Sequence, residues 1–300
     1  MKLYLDNFDN NSDSGPNGFA KKLLNNLVTK NQIKISDYNS CDLSFCLIQS
    51  TLKKEKPTVL RLDGIYFNSS QDFESLNRPI RQTYEKSDAV VFQTLFNKNL
   101  IEHWFGKHQN YHVIRNGTNF DVISSIPKIT SVVLDAFSEV WSCAASWRPH
   151  KRLDENIRYF LEFAPQDACL VVMGKGAEQW LVEHPRILYA GHVTWDQQIS
   201  IYKRSSTFLH LAWFDHCPNV VVDARASGCK IVCSSTGGTK EIAGLDATII
   251  NEDDWDFSPI RLYEPPVMNF SNTRQNEFNI DIGIEKVTNF YLDAFKSVLK

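Results

Sequence analysis

Nowhere among the 300 residues does an apolar run approach the ~20 residues of a membrane-spanning helix. None follows the opening Met-Lys-Leu-Tyr-Leu-Asp, so no signal peptide is expected. The cysteines, at positions 41, 46, 143, 169, 217, 229 and 233, are odd in number and form no Cys-x-x-Cys pair. That argues against a disulfide framework and structural zinc, and reduced, buried thiols fit a cytoplasmic protein. There is no large excess of either charge: 32 basic against 35 acidic residues give a net charge of -3. Chain-wide attraction to nucleic acid is therefore not expected. What the chain has is apolar material, 43% hydrophobic and 12% aromatic, enough for two cores of ordinary size.

Strand-like and helix-like segments alternate along the whole length. Short apolar runs at 3–5, 43–48, 58–62, 89–92 and 111–114 read as buried strands. Between the first two, Ser14-Gly15-Pro16-Asn17-Gly18 precedes a helical pattern carrying Phe19, Leu23, Leu24, Leu27 and Val28. Strand, glycine turn and helix in that order make a phosphate cradle possible, while the glycines by themselves read as a plain turn before a helix. Asp63 closes the third strand, where charged groups of an open parallel sheet meet ligand, although an ordinary Asp-Gly turn reads the same way. A boundary is expected near residue 128, dividing the chain into domains 1–128 and 129–282. A closing amphipathic helix, 283–300, carries Ile284, Val287, Tyr291, Ala294 and Val298.

The second half repeats the alternation, with strands at 140–145, 169–173, 187–190, 207–211 and 230–233. After the first of these stands Trp147-Arg148-Pro149-His150-Lys151-Arg152, whose cations can hold a diphosphate or form a solvated basic turn. Residues 251–279 show no period and read as irregular surface or a mobile linker. The stretch Trp213 to Glu241 is the most informative. Asp215 and Asp223 flank the turn Cys217-Pro218-Asn219, and a helix through 220–226 leaves one acid in the entering loop and the other on its first turns. That helix start offers N–H groups and a positive dipole end to an anion. Strand 230–233 and a flexible, amide-rich loop, Ser234 to Gly238, follow. The pattern suits a charged, hydroxyl-bearing ligand such as a nucleotide sugar; it also fits a helix–strand unit with two solvated acids.

The segment Asp-x-Cys-Pro-Asn-x-x-x-Asp-Ala-x-Ala-Ser-Gly, followed by Gly237-Gly238-x-x-Glu241, resembles the acid-x7-acid signature of family 4 of the retaining GT-B glycosyltransferases. Both acids are normally Glu there, and here they are Asp215 and Asp223. The resemblance covers residues 14–18 and 88–241 well. It implies an α/β GT-B fold: two Rossmann-like, doubly wound parallel-sheet domains facing each other across a cleft, with the C-terminal helix packing back on the first. It implies a retaining, hexosyltransferase-type enzyme moving sugar from a UDP- or GDP-sugar to a hydroxyl acceptor. No metal site and no cofactor beyond the donor are expected. By the same resemblance Arg148 and Lys151 bind the diphosphate, Asp215 the donor sugar and Asp223 the ribose. Main chain at His192 and Val193 holds the nucleobase, Cys217, Pro218 and Asn219 lie against the donor, and Gly15 and Gly18 face it or the acceptor. Asp63 stands where family members place a histidine. A nucleotide-sugar-binding protein without turnover, or an epimerase or phosphorylase on the same fold, are the alternatives. Peripheral membrane contact through Lys21-Lys22 and Lys53-Lys54 is a weaker expectation.

Overall fold

The computed structural model describes residues 1–12, 14–30 and 32–299. They form two compact units: Met1–Asn119 with Asp256–Ile260 and Asp281–Lys300, and Phe120–Trp255 with Arg261–Ile280.

The first unit contains β1 (Lys2–Asp6), α1 (Gly15–Thr29), β2 (Lys34–Ile35), β3 (Leu43–Leu47), β4 (Thr58–Leu62), α2 (Phe73–Lys86), β5 (Ala89–Phe92), α3 (Leu95–Phe105) and β6 (Tyr111–Val113). Its strands pair in parallel in the order β2-β1-β3-β4-β5-β6. Alternation sends Leu3, Phe45, Leu47, Val59 and Val91 to one face, where they pack with Phe19 and Leu23 of α1 and with Tyr291 and Phe295 near the C-terminus. Burying both sheet faces is what lets these strands be nearly continuous apolar runs.

The second unit contains α4 (Phe120–Ser125), α5 (Val132–Asp135), β7 (Glu139–Ala144), α6 (Leu153–Phe163), β8 (Ala168–Met173), β9 (Ile187–Gly191), α7 (Trp195–Tyr202), β10 (Thr207–His210), α8 (Asn219–Ala226), β11 (Lys230–Ser234), α9 (Thr239–Ile242), β12 (Thr248–Ile250) and β13 (Thr273–Gln275). The last helix of the chain, α10 (Ile284–Ser297), belongs to the first unit; Lys300, the end of the expected helix, lies outside the described residues. The sheet order is β13-β12-β11-β10-β7-β8-β9, parallel except for β12 with β13. Sequence order reverses direction between β7 and β10, and in the first sheet between β1 and β3. At such switch points adjacent strand-end loops diverge and leave room for a ligand.

Two expectations need correction. The division falls after Asn119 rather than near 128. Residues beyond it are drawn into the second unit by α7: Ser200 Oγ donates to Pro127 O at 2.7 Å, Ile129 N to Ser200 O at 3.1 Å, and Lys203 Nζ to Ser124 O at 3.0 Å. The segment 251–279 is not simply surface. Met268 and Phe270 are buried in the second core, and β13 closes the sheet edge. Its few apolar residues are spaced without period because each fills a separate gap.

Candidate functional site

The basic turn after β7 splits its three cations. Pro149 opens a single 3-10 turn, Pro149–Lys151, which holds Arg148 extended before it at φ -144° and ψ 162°. Arg148 is exposed, and its guanidinium has no ion-pair partner among the described residues. Arg152 ends the turn in the left-handed region at φ 51° and swings inward. Fully buried, it forks onto Glu252 at 2.8 and 3.0 Å and donates to Pro266 O at 3.1 Å. Arg152 is therefore a structural strut between β7 and the 252–266 segment, not a third phosphate ligand.

Lys151 turns the other way. Its Nζ lies 2.5 Å from Asp215 Oδ2, and His210 Nε2 lies 2.9 Å from the same oxygen. β7 and β10 are neighbours in the sheet, so the loops after them start side by side at the switch point. Trp213 N donates to His150 O at 2.7 Å and stitches the two loops together. The loop after β11 joins them: Gly238 N donates to Asp215 O at 2.8 Å. Gly237 has φ +74°, and a Cβ there would stand 2.5 Å from Asp215 O. The expected flexible loop at 234–238 is thus a tightly packed one, with Ser234, Thr236, Gly237 and Gly238 buried.

Burial pushes the Asp215 carboxyl up, but the Lys151 ammonium and His210 outweigh it and hold it well below the usual carboxylate range. Burial drives the neighbouring imidazoles the opposite way: His150 is lowered to about 3, aided by Lys151, and His216 to about 4. His210 is lowered too, burial outweighing Asp215. The cluster at neutral pH is an ammonium, a carboxylate and three uncharged imidazoles. Arg148 stands beside them as an exposed cation.

The second acid sits apart. Asp223 is buried in α8 and accepts from Trp195 Nε1 at 2.9 Å. Trp195 is the first residue of α7, whose capping box, Thr194 with Gln197, fixes the helix start. His192 and Val193 form the short link from β9 to that cap, His192 exposed and Val193 half-buried. The 192–195 connection and Asp223 thus come together through Trp195, a residue that sequence reading passed over. An indole N–H is visible in sequence only as an aromatic residue. Cys217 and Pro218 are buried, and Asn219 opens α8 with Pro218 as a cap that supplies no side-chain acceptor.

In the first unit the expected sites differ. Gly15 to Gly18 form no loop: they are the first turn of α1, with Gly18 N bonded to Ser14 O at 2.8 Å. Gly15 has ordinary φ and open space where a Cβ would stand, so no close backbone approach demands glycine there. Pro16 preorganises the turn and carries it into the helix. Asp63 is paired with the fully buried Arg61, and Gln93 Nε2 adds a bond at 2.5 Å. Burial raises the Asp63 carboxyl, against the pull of Arg61 and Gln93. Arg61 also reaches Tyr291 Oη at 3.1 Å and Asn116 Oδ1 at 2.9 Å, tying α10 to the sheet. Asp63 is the counter-ion of that anchor.

Among the described residues no group of three or more His, Cys, Asp or Glu could hold a metal ion. The one Asp-x-Asp spacing, Asp254-Trp255-Asp256, is divided between the two units, and Asp256 accepts from Ser258 N and Oγ at 2.9 and 2.6 Å. Among the described residues no helix is long and apolar enough to cross a membrane, and the seven cysteines are free and buried.

Two parallel α/β sheets with switch-point loops of this kind define the GT-B fold class. Within it, residues 139–258, which hold β7 to β12 with Lys151, Trp195, Asp215 and Asp223, match the family model of glycosyl transferases group 1. The structure of Alr3699/HepE from Anabaena in complex with UDP and glucose superimposes with a TM-score of 0.69 at 12% identity, covering 99% of this chain and 100% of that one. Sucrose-phosphate synthase (tll1590) from Thermosynechococcus elongatus gives 0.67 at 10% identity, covering 100% and 95%. WaaG, a glycosyltransferase involved in lipopolysaccharide biosynthesis, gives 0.60 at 9% identity, covering 100% and 92%. At these identities the likeness is one of fold. No curated protein matches by sequence.

Proposed function

We propose that the protein is a retaining, metal-independent glycosyltransferase that moves a sugar from a UDP- or GDP-sugar to a hydroxyl acceptor. The observation that carries the reading is the switch-point cluster: Lys151 on Asp215 at 2.5 Å, with the Arg148 guanidinium, without an ion-pair partner among the described residues, on the same turn. Arg148 and Lys151 would stabilise the charge that gathers on the leaving diphosphate as the sugar becomes oxocarbenium-like. Arg148 can fork onto two phosphate oxygens, while Lys151 acts as a point charge. Asp215, kept ionised by Lys151, would accept from donor-sugar hydroxyls, and Asp223, held by Trp195, from the ribose hydroxyls. The 192–193 main chain would hold the base. The acceptor hydroxyl would attack on the leaving group's face, so no protein nucleophile is needed. UDP in the Anabaena complexes favours a uridine donor over a guanosine one.

The test is incubation with a panel of UDP- and GDP-sugars and hydroxyl acceptors, with and without EDTA. Nucleoside diphosphate release and product anomer are followed by NMR. Release that survives chelation, with an anomer matching the donor, is the expected result. Loss with EDTA restored by magnesium or manganese, or an inverted anomer, overturns it. Binding without release would instead identify a nucleotide-sugar-binding protein, and conversion without an acceptor an epimerase.

A further inference from the structure

The first unit carries a cavity of about 320 Å³, at the lower end of the roughly 300–1,000 Å³ range of small-molecule sites. It lies on the sheet face opposite the α1 and α10 core. Alternation places Asp6, Ser44 and Thr58 there, since Leu5, Phe45 and Val59 point to the other side. Parallel strands are usually joined by a helix that covers the sheet, yet the β3–β4 connection, residues 48–57, contains none. It is turned aside at once by a tight turn in which Gln49 N bonds to Leu47 O at 2.8 Å, with Ile48 between them at φ 67°. A β-branched residue at positive φ is rare and costly. The place where a helix would pack is left as a polar pocket.

Its floor holds a carboxylate that faces the pocket and meets few protein donors. Asp6 is 6% exposed, and among the described residues only the Cys46 thiol, a weak donor, hydrogen-bonds its carboxylate. Buried carboxylates are ordinarily met by several donors, so this one has capacity for a ligand's hydroxyls. Ser44, 2% exposed, adds a hydroxyl beside it with no hydrogen-bond partner among the described residues. The mouth is cationic. Lys53 and Lys86 are exposed there, Lys53 only 3.7 Å from an exposed Glu55 and Lys86 without an ion pair among the described residues.

We infer that this cavity binds an anionic monosaccharide, its hydroxyls on Asp6 and Ser44 and its phosphate or carboxylate on Lys53 and Lys86. The carboxylate floor rejects a bare anion and the lysine mouth favours a charged sugar over a neutral one. This site shares no residue with the Arg148–Asp215 cluster and does not rest on the transferase reading.

Calorimetry on the full chain with glucose 6-phosphate, glucuronate, glucose and inorganic phosphate tests it. One or both charged sugars should bind at least tenfold more tightly than glucose and than phosphate. The phosphate and uronate arms then tell the two sources apart. Ser44→Ala, Asp6→Asn and the pair Lys53→Ala/Lys86→Ala should each weaken binding by about tenfold, the equivalent of ~1.4 kcal/mol. Arg148→Ala should leave it unchanged. Ser44→Ala and the lysine pair keep the test open should Asp6→Asn fail to fold. No binding, equal binding of glucose or phosphate, or binding lost in Arg148→Ala and kept in the cavity variants overturns the assignment.

Discussion

Lys151 and Asp215 are joined at 2.5 Å through a single carboxylate oxygen that His210 also reaches. The proposed diphosphate ligand and the proposed sugar ligand therefore hold each other before any donor arrives. That preorganises the cluster and makes the two residues inseparable in their energetics. In Lys151→Met the Asp215 carboxyl loses its main counter-charge, and burial then raises its pKa. A depressed carboxylate stabilises the fold above its unfolded value of about 3.9, and that contribution is lost only as pH falls through the folded value. The variant should lose roughly 2 kcal/mol at neutral pH, between the exposed and buried limits for ion pairs, and acid-unfold at higher pH than the wild type. Urea titrations at pH 7 and 4.5 read both effects, and identical acid curves would show that the pair does not set the carboxyl.

Arg148 separates binding from folding. Its side chain is exposed and without an ion-pair partner among the described residues, so Arg148→Ala should change stability by less than about 0.5 kcal/mol. Nucleoside diphosphate affinity and turnover should each fall more than tenfold, about 1.4 kcal/mol. Wild-type kinetics in this variant would remove Arg148 from the site.

The two acids should fail differently. Asp223→Asn should weaken nucleoside diphosphate binding by about tenfold to a hundredfold, the loss of a charge-assisted hydrogen bond of roughly 1.5–3 kcal/mol. Trp195→Phe removes the indole donor from the buried Asp223 carboxylate and should weaken the same binding in the same direction. Asp215→Asn should leave diphosphate affinity nearly intact and lower turnover with the full donor. Calorimetry beside initial rates decides, and equal affinity losses at 215 and 223 would mean that the acids do not divide the donor.

The half-buried imidazoles His150 and His216 predict a pH dependence. His150 and His216 are lowered to about 3 and about 4, so between these values and about 6.5 the unfolded chain binds protons that the folded one refuses. Stability should therefore be fully present above about pH 6.5 and decline as pH falls below it, by up to about 1.4 kcal/mol per pH unit for each histidine. His216→Asn should flatten the slope between pH 6.5 and 5. An unaltered slope would place the titration elsewhere.

Much of the fold was legible in the sequence because strand and helix signals are local. The apolar runs at 58–62 and 89–92 coincide with β4 and β5, and a helix beginning beside Asn219 follows from the Pro218 turn and the Asp-Ala-Arg-Ala pattern. Charge and spacing also brought Arg148, Lys151, Asp215 and Asp223 to notice. Periodicity was misleading where packing overrode it. Gly15 to Gly18 looked like a loop and form a helical turn, since Pro16 is well suited to a first turn. Met268 and Phe270 looked like surface, because isolated gap-filling residues leave no period.

Partners were beyond the reach of sequence. Lys151 and Asp215 lie 64 residues apart and meet only because β7 pairs with β10, a choice of strand order that no local signal contains. The same holds for Asp63, which the parallel strand end marked as a ligand group and which the buried Arg61 takes as its counter-ion. Among the three cations of one turn, the left-handed backbone at Arg152 sent one inward to Glu252, while Arg148 stayed in solvent and Lys151 turned to Asp215. Sequence by itself determined the alternating elements and the residue types at their ends, because propensity and periodicity act within a few turns. The tertiary structure alone decided which charge faces which, because that depends on burial and on distances between segments far apart in the chain.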